Sequence, residues 1–494
     1  TIATFPSSLG LRSPILTNLR NQSLLRHTTA IMTSSIRRCE LRSQIRDTYF
    51  CSIQEPKRRP SHPFEAISSR LSQQKLISQK TRLAFLKITS FEIIKVPPSW
   101  VWLRIHTDTE HVGLGEPYLE NHPESVIAEV KRIESFLIGK DPTQVEKLWN
   151  VMYESGSGYF GGPIKLSAIS GIDMALWDLA GKAAGVPIYQ MLGGKVHDRI
   201  KMYRATAGQL PWTIEPGDPY HPGNPPTTNL KHNEPETYKE AARILVEEWG
   251  YRALKMHLSP GTGLEATSEV DRLAEKFAAG KEGALEGGRN VGVDNIDIAI
   301  DIHNPNPSIG RQLIEALAPH RPLFIEEPMP VERVDALAQT IAGTNATIAA
   351  GERWMGKHVF FDALSRGLLS VVQPDIAHAG GITETKKIAI MAEAAYAKLA
   401  IHCPLSPLAL AASIQVDACT PNFLVQEHNE VNDSRPTEGP HAGKTVIGSG
   451  FFKNPFVLDS EGYVATPEGP GLGIYLDPEG FEKIMSKPWQ EVRG

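Results

Sequence analysis

The feature that most constrains this 494-residue chain is a rhythm that begins near residue 201. Short runs of apolar, strand-forming residues recur, each followed by sequence with helical spacing. They fall at 201–207, 253–258, 296–303, 323–327, 347–352, 369–375, 399–403 and 423–427. From the third run onward they start about 25 residues apart, the length of one strand and one helix. Eight such units predict an α/β fold whose parallel strands close into a barrel with helices outside. In barrels of this kind the active site is built where the strands end.

Acidic residues end three successive runs: Asp301, the pair Glu326 and Glu327, and Glu352. The intervals are 25 residues from Asp301 to Glu326 and 26 from Glu326 to Glu352, so one carboxylate comes from a corresponding point on each strand. Three hard oxygen donors without Cys or His suit Mg²⁺ and leave positions open for substrate oxygens. Only one of Glu326 and Glu327 can face the lumen, because strand neighbours point to opposite sides.

His303 follows Asp301 by two residues and is expected on the same face. His402 ends the seventh run, nearly across the barrel. Two imidazoles on opposite sides of a substrate can serve as acid and base, since free His titrates at about 6.5. Asp375, ending the preceding run, is placed to hold the His402 ring and raise its basicity. Lys255 ends the second run and can bind a carboxylate or stabilise an enolate. Glu427 ends the last run and can support enolate charge if protonated, or bind a hydroxyl.

Ahead of the barrel, residues 86–200 read as an α+β domain. Residues 87–95 and 101–106 alternate apolar and polar as half-buried antiparallel strands do, Gly113–Pro117 has turn chemistry, and 168–182 has helical spacing. The segment 211–236, rich in Pro, Gly, Asn and His, interrupts the barrel rhythm and reads as a long loop near its mouth. Beyond 428 the Gly- and Pro-rich C-terminal stretch, 429–494, is expected to pack back on the first domain.

Composition narrows the function classes. The net charge of −5 conceals a basic start, with 14 Lys and Arg in residues 1–85 against Glu40, Asp47, Glu55 and Glu65. The remainder holds 37 basic and 52 acidic residues, and such a body repels polyanions, which argues against nucleic acid as a partner. Residues 1–85, Ser/Arg-rich and acid-poor, read as a targeting segment or a disordered tail and stay outside the fold reading. The longest apolar runs, such as 368–372, fall well short of the roughly 18 residues of a membrane span. Four cysteines form neither a disulfide framework nor a zinc signature, which points to a reducing compartment. The expected location is the cytoplasm, or the mitochondrion if residues 1–85 are a transit peptide.

Several motifs carry a family likeness: Gly161-Gly-Pro, Gly171-Ile-Asp-Met-Ala-Leu-Trp-Asp178, Asp301-Ile-His303, Phe324-Ile-Glu-Glu-Pro328, Ala350-Gly-Glu-Arg353, the run from Gln373 to Glu384, and His402-Cys-Pro-Leu. In this order and spacing they resemble the enolase superfamily, in its mandelate racemase/muconate lactonizing branch, most closely the D-galactonate dehydratases. The resemblance runs from about residue 87 to the C-terminus. It implies a (β/α)₇β modified barrel at 201–428 under an α+β capping domain at 86–200, and a homo-oligomer. It implies Asp301, Glu326 and Glu352 as Mg²⁺ ligands, His402 with Asp375 as general base, His303 as general acid and Glu427 as support for the enolate. The implied reaction is Mg²⁺-dependent dehydration of an aldonic acid, D-galactonate first, to a 2-keto-3-deoxy acid. Cap segments near Gly113–Pro117 and Phe160–Pro163 are expected to close over the polyol end.

This chain departs from that pattern at His257, which stands where racemases of the branch carry the second Lys of a Lys-x-Lys pair, and in the length of 211–236. Gluconate, arabinonate or fuconate are alternative substrates. A metal-hydroxide hydrolase would need a His-rich ligand set, and no His-x-His occurs. A non-catalytic scaffold would be expected to lack a ligand or the base, and all are present.

Overall fold

The structure, a computed structural model, describes residues 86–206, 234–258, 267–330, 333–428 and 430–491. The expected N-terminal extension and nearly all of the 211–236 loop lie outside the described residues.

The first domain is a three-stranded antiparallel sheet of β1 (Ile88–Val96), β2 (Trp100–Thr107) and β3 (Val112–Gly115) against three main helices. β2 serves two cores. Leu103 and Ile105 pack with Ile169 and Ile172 inside the cap, whereas Trp100 and Trp102 belong to the large core shared with the barrel. The helix Pro163–Ala184 is buried along most of its 22 residues, which is why it reads as apolar on nearly every side. It ends on Gly185 at φ 71°, a left-handed position that glycine takes without a Cβ clash.

Gly113–Pro117, read from sequence as a turn, is instead mostly β3 laid flat on this helix. A Cβ on Gly115 would meet the Gly171 carbonyl oxygen at 1.9 Å, and one on Gly171 would meet the Pro117 nitrogen at 2.1 Å. Strand and helix therefore touch backbone to backbone, and this segment is a wall rather than a closing loop.

The second domain is a ring of eight parallel strands: β4 (Arg199–Thr206), β5 (Ala253–His257), β6 (Asp297–Asp301), β7 (Ile325–Glu326), β8 (Ile348–Ala350), β9 (Val371–Val372), β10 (Lys398–Leu399) and β11 (Gln426–His428). Their order is β10-β9-β8-β7-β6-β5-β4-β11. The ring closes where Leu399 pairs in parallel with Phe423, through Leu399 N–H to Asn422 O at 3.0 Å and Leu424 N–H to Leu399 O at 2.8 Å. One helical connection separates each strand from the next, so the fold is a (β/α)₇β barrel.

After β11 the chain forms a small sheet of β12 (Asp433–Ser434), β13 (Val446–Ile447) and β14 (Phe456–Val457), adds β15 (Tyr463–Ala465) antiparallel to β4, and returns to the cap. There Phe481 stacks on Trp102 with ring centres 5.2 Å apart, and Trp489 donates from Nε1 to the Trp100 carbonyl at 3.0 Å. Among the described residues no helix is long and apolar enough to cross a membrane.

Candidate active site

The barrel floor is a layer with one residue from each strand or its flank: Tyr203, Ala253, Ala299, Phe324, Ala349, Val371, Ala400 and Val425. Two residues further along each strand, at the period that returns it to the same face, stand Ala205, Lys255, Asp301, Glu326, Gly351, Gln373, His402 and Glu427. An apolar plug thus carries a polar layer on top, at the C-terminal ends of the strands.

Asp301 and Glu326 are register partners across β6 and β7. Glu352 lies beyond the end of β8, and the ladder partner of Glu326 is Ala349. It joins the other two through Gly351, whose φ of 141° turns the chain inward and whose missing Cβ leaves room for Phe360, 2.5 Å away from where it would be. The carboxylates of Asp301, Glu326 and Glu352 meet within 4.8 Å of one another, all buried. Glu327, with φ 46°, points elsewhere and pairs with Arg353, which also contacts Glu352.

This cluster fits a hard cation. Glu326 Oε2 and Glu352 Oε2 accept no hydrogen bond despite burial, although Lys255 and His402 stand within ion-pair reach of them. Burial, together with the Asp301 and Glu326 charges, pushes the Glu352 carboxyl well above its usual range. A divalent ion would remove that repulsion and satisfy the orphaned oxygens.

Lys255 is almost fully buried and joins two acids. Its Nζ donates to Glu326 Oε1 at 3.0 Å and lies 2.9 Å from Glu427 Oε1. Burial opposes the ammonium, but the Glu326 and Glu427 charges outweigh it and raise its pKa well above normal. Burial likewise opposes ionisation of Glu427, yet Lys255 and His402 lower its pKa. Glu427 is therefore an ionised partner of Lys255.

The histidines flank the carboxylates. His402 Nε2 lies 3.3 Å from Glu352 Oε2, and its Nδ1 bonds Asp375 Oδ2 at 2.8 Å. Burial works against the His402 imidazolium, but the Asp375 hydrogen bond and the Glu427 and Asp375 charges raise its pKa. On the other flank His303 Nε2 lies 3.0 Å from Asp301 Oδ2. Its backbone has φ 44°, so it reaches Asp301 through a strained turn and not through the strand pleat expected from sequence, because β6 ends at Asp301. His303 Nδ1 contacts His257 Nε2, and burial, with smaller contributions from His303 and Lys255, brings His257 down to about 4 although the Asp301 carboxylate opposes it.

Three residues were not given roles from sequence. Arg353 covers Glu327 and Glu352. Glu120, just beyond β3, enters the mouth from the cap, where the His402 charge acts on it. His378 meets Glu120 at 3.1 Å. His378 and Arg353 lie inside the quoted motifs, but nothing in the sequence tells which side chains of a turn face the lumen. Phe160, expected to help close the site, stacks on Tyr153 with ring centres 5.3 Å apart and is 55% exposed.

Residues 81–193 match the N-terminal domain of the mandelate racemase/muconate lactonizing enzymes, and residues 237–480 the enolase C-terminal domain-like family. The D-galactonate dehydratase of Klebsiella pneumoniae (strain 342) is 37% identical over 396 residues, 80% of this chain and 93% of the relative. That of Variovorax paradoxus (strain S110) is 37% identical over 407 residues, 82% of this chain and 95% of the relative. Among solved structures, a mandelate racemase/muconate lactonizing enzyme from Jannaschia sp. CCS1 is 31% identical with a TM-score of 0.66, covering 80% of this chain and 97% of that one. An enolase from Agrobacterium radiobacter, bound to sodium and L-malate, is 29% identical with a TM-score of 0.66, covering 80% and 94%. The chain belongs to the mandelate racemase/muconate lactonizing family of the enolase superfamily, close to its galactonate dehydratases.

Proposed function

We propose that the chain is a Mg²⁺-dependent dehydratase of an aldonic acid, with D-galactonate the first substrate to test. Its sugar-acid dehydratase relatives set the reaction class. The observation that carries the reading is the buried Asp301–Glu326–Glu352 cluster with a histidine on each side. The malate on the Agrobacterium neighbour, a 2-hydroxy acid, is the class of ligand such a cluster suits.

Asp301, Glu326 and Glu352 would hold the ion. When bound, the ion supplies positive charge to a substrate carboxylate and so lowers the cost of ionising the carbon beside it. His402 has Nδ1 committed to Asp375, which leaves Nε2 to take the C2 proton; general base catalysis of this kind contributes about 10²–10⁴-fold. Lys255 keeps a fixed positive charge under the developing enolate. His303 gives a proton to the departing C3 hydroxyl, which leaves as water. The resulting enol tautomerises to the 2-keto-3-deoxy acid.

A screen of aldonic acids with Mg²⁺, read as 2-keto-3-deoxy acid formed, tests this directly. The expected result is turnover of D-galactonate, abolished by EDTA and restored by Mg²⁺. Turnover of gluconate, arabinonate or fuconate instead would move the substrate and keep the reaction. No turnover of any acid sugar, or turnover indifferent to EDTA, would overturn the reading.

A further inference from the structure

Helix Pro163–Ala184 is the apolar centre of the cap, yet it carries buried Ser167, Ser170 and Asp173 at three-residue spacing, on one face. Buried polar groups need partners. All three find partners in one segment of the barrel, the turn that follows Asp375 and the first turn of the helix Gly381–Ala394. Ser167 Oγ bonds His378 Nδ1 at 3.1 Å, Ser170 Oγ accepts from Gly380 N–H at 2.9 Å, and Asp173 accepts from Thr383 N–H at 2.9 Å and from its hydroxyl at 2.6 Å. Trp149, from the preceding cap helix, adds its Nε1–H to the Gly380 carbonyl at 2.8 Å.

His378 is where this seam reaches the dyad. The turn folds it back over Asp375, through His378 N–H to Asp375 O at 3.0 Å and Ala377 N–H to Asp375 Oδ1 at 2.7 Å. Its Nε2 then faces Glu120 Oε2 at 3.1 Å and Asp375 Oδ2 at 3.8 Å. That second oxygen is the one bonded to His402 Nδ1. A single imidazole therefore has one nitrogen on the cap helix and the other between a cap carboxylate and the oxygen that aims the base.

We propose that His378 is a positioning residue: seated by Ser167 and Glu120 of the cap, it fixes the Asp375 oxygen that orients His402, so that seating of the cap sets the geometry of proton abstraction. This rests on the reading of His402 as the base. Burial disfavours charge on His378, but the Asp375 and Glu120 carboxylates outweigh it and lift its pKa to about 9, which keeps a positive charge beside the dyad. A merely structural role would tie cap to barrel without touching chemistry.

The experiment uses the full chain with Mg²⁺ and the aldonate that it turns over, comparing His378→Gln, Ser167→Ala and His402→Asn. Steady-state kinetics are read beside the low-field proton resonance of the His402–Asp375 hydrogen bond, recorded without metal or substrate. His378→Gln is expected to lower kcat about tenfold with KM within about twofold, as loss of alignment does, and to shift or broaden the resonance. Ser167→Ala, which leaves the imidazole in place, is expected to act in the same direction and less. It carries the test if His378→Gln does not fold. Wild-type kcat and an unmoved resonance in both variants, with His402→Asn inactive, would overturn this proposal alone. Turnover by His402→Asn at the wild-type rate would remove the base assignment and the proposal with it.

Discussion

At the scale of single residues, the site sets stability against function. Glu352 is buried among like charges, and its carboxyl is held well above the ordinary value of 4.5. A carboxyl raised on folding contributes most below its unfolded pKa and loses that contribution as pH rises towards its folded one. At neutral pH the residue is thus a cost unless a cation is bound. Glu352→Gln should make the metal-free protein at least as stable as wild type in urea unfolding at pH 7. Excess Mg²⁺ should reverse the order, since ion at 100 times its Kd stabilises wild type by about 2.7 kcal/mol and the variant by much less. His303 separates the two demands differently. Its φ of 44° suits Asn, whose side chain tolerates the left-handed region. His303→Asn should keep the thermal midpoint within a few degrees of wild type, while kcat falls by about 10²–10⁴-fold.

At the scale of elements, the cap and barrel share polar junctions that only the assembled fold explains. Glu116, at the end of β3, accepts hydrogen bonds from the Ser406 hydroxyl, from Ser406 N–H at 3.2 Å and from Ala409 N–H at 3.1 Å. It therefore closes the N-terminus of the helix Pro407–Ala418 from across the domain boundary. Complete burial still pushes its carboxyl up to about 8, against those three donors. The sign is again that of an acid raised on folding: its contribution is full below 4.5 and declines as pH rises to about 8. The stability of wild type relative to Glu116→Gln should fall across that window and level off outside it, in denaturant titrations at pH 4 to 9 chosen to bracket it. A difference that rose with pH would mean that the helix terminus wins over burial.

For the whole molecule, the two domains are fused through shared elements. β2 gives Trp100 and Trp102 to one core and Leu103 and Ile105 to the other, and the C-terminal stretch packs on both β4 and the cap. Unfolding of either domain alone would expose buried tryptophans and leave Asp173, Glu116 and His378 without partners. Tryptophan fluorescence, which reports this junction, and far-UV circular dichroism, which the barrel dominates, should give coincident urea transitions. Two separated midpoints would show the cap to be an independent unit.

How much of this is legible in the sequence depends on the distance over which a cause acts. The repeat of strand and helix is local, so each of the eight barrel strands overlaps one of the eight runs that patterning marks, though most prove shorter than expected and three shift by one or two residues at an end. The polar layer is largely legible too, because the strand ends mark Lys255, Asp301, His402 and Glu427 without knowledge of any contact, whereas the choice of Glu326 over Glu327 came from the family resemblance. What sequence could not supply are the turns and the seam. Gly351 and His303 bring their acids and imidazole together through positive φ, which hydrophobic patterning does not encode. The Gly113–Pro117 segment has the composition of a turn and becomes a strand because a glycine on a distant helix lets it lie flat. The partners of Ser167, Asp173 and Glu116 lie more than 200 residues away. Local chemistry thus determined the barrel and most of its polar layer, while packing of the cap on the strand ends decided how that layer is held, since hydrogen bonds between remote segments exist only once the chain has closed on itself.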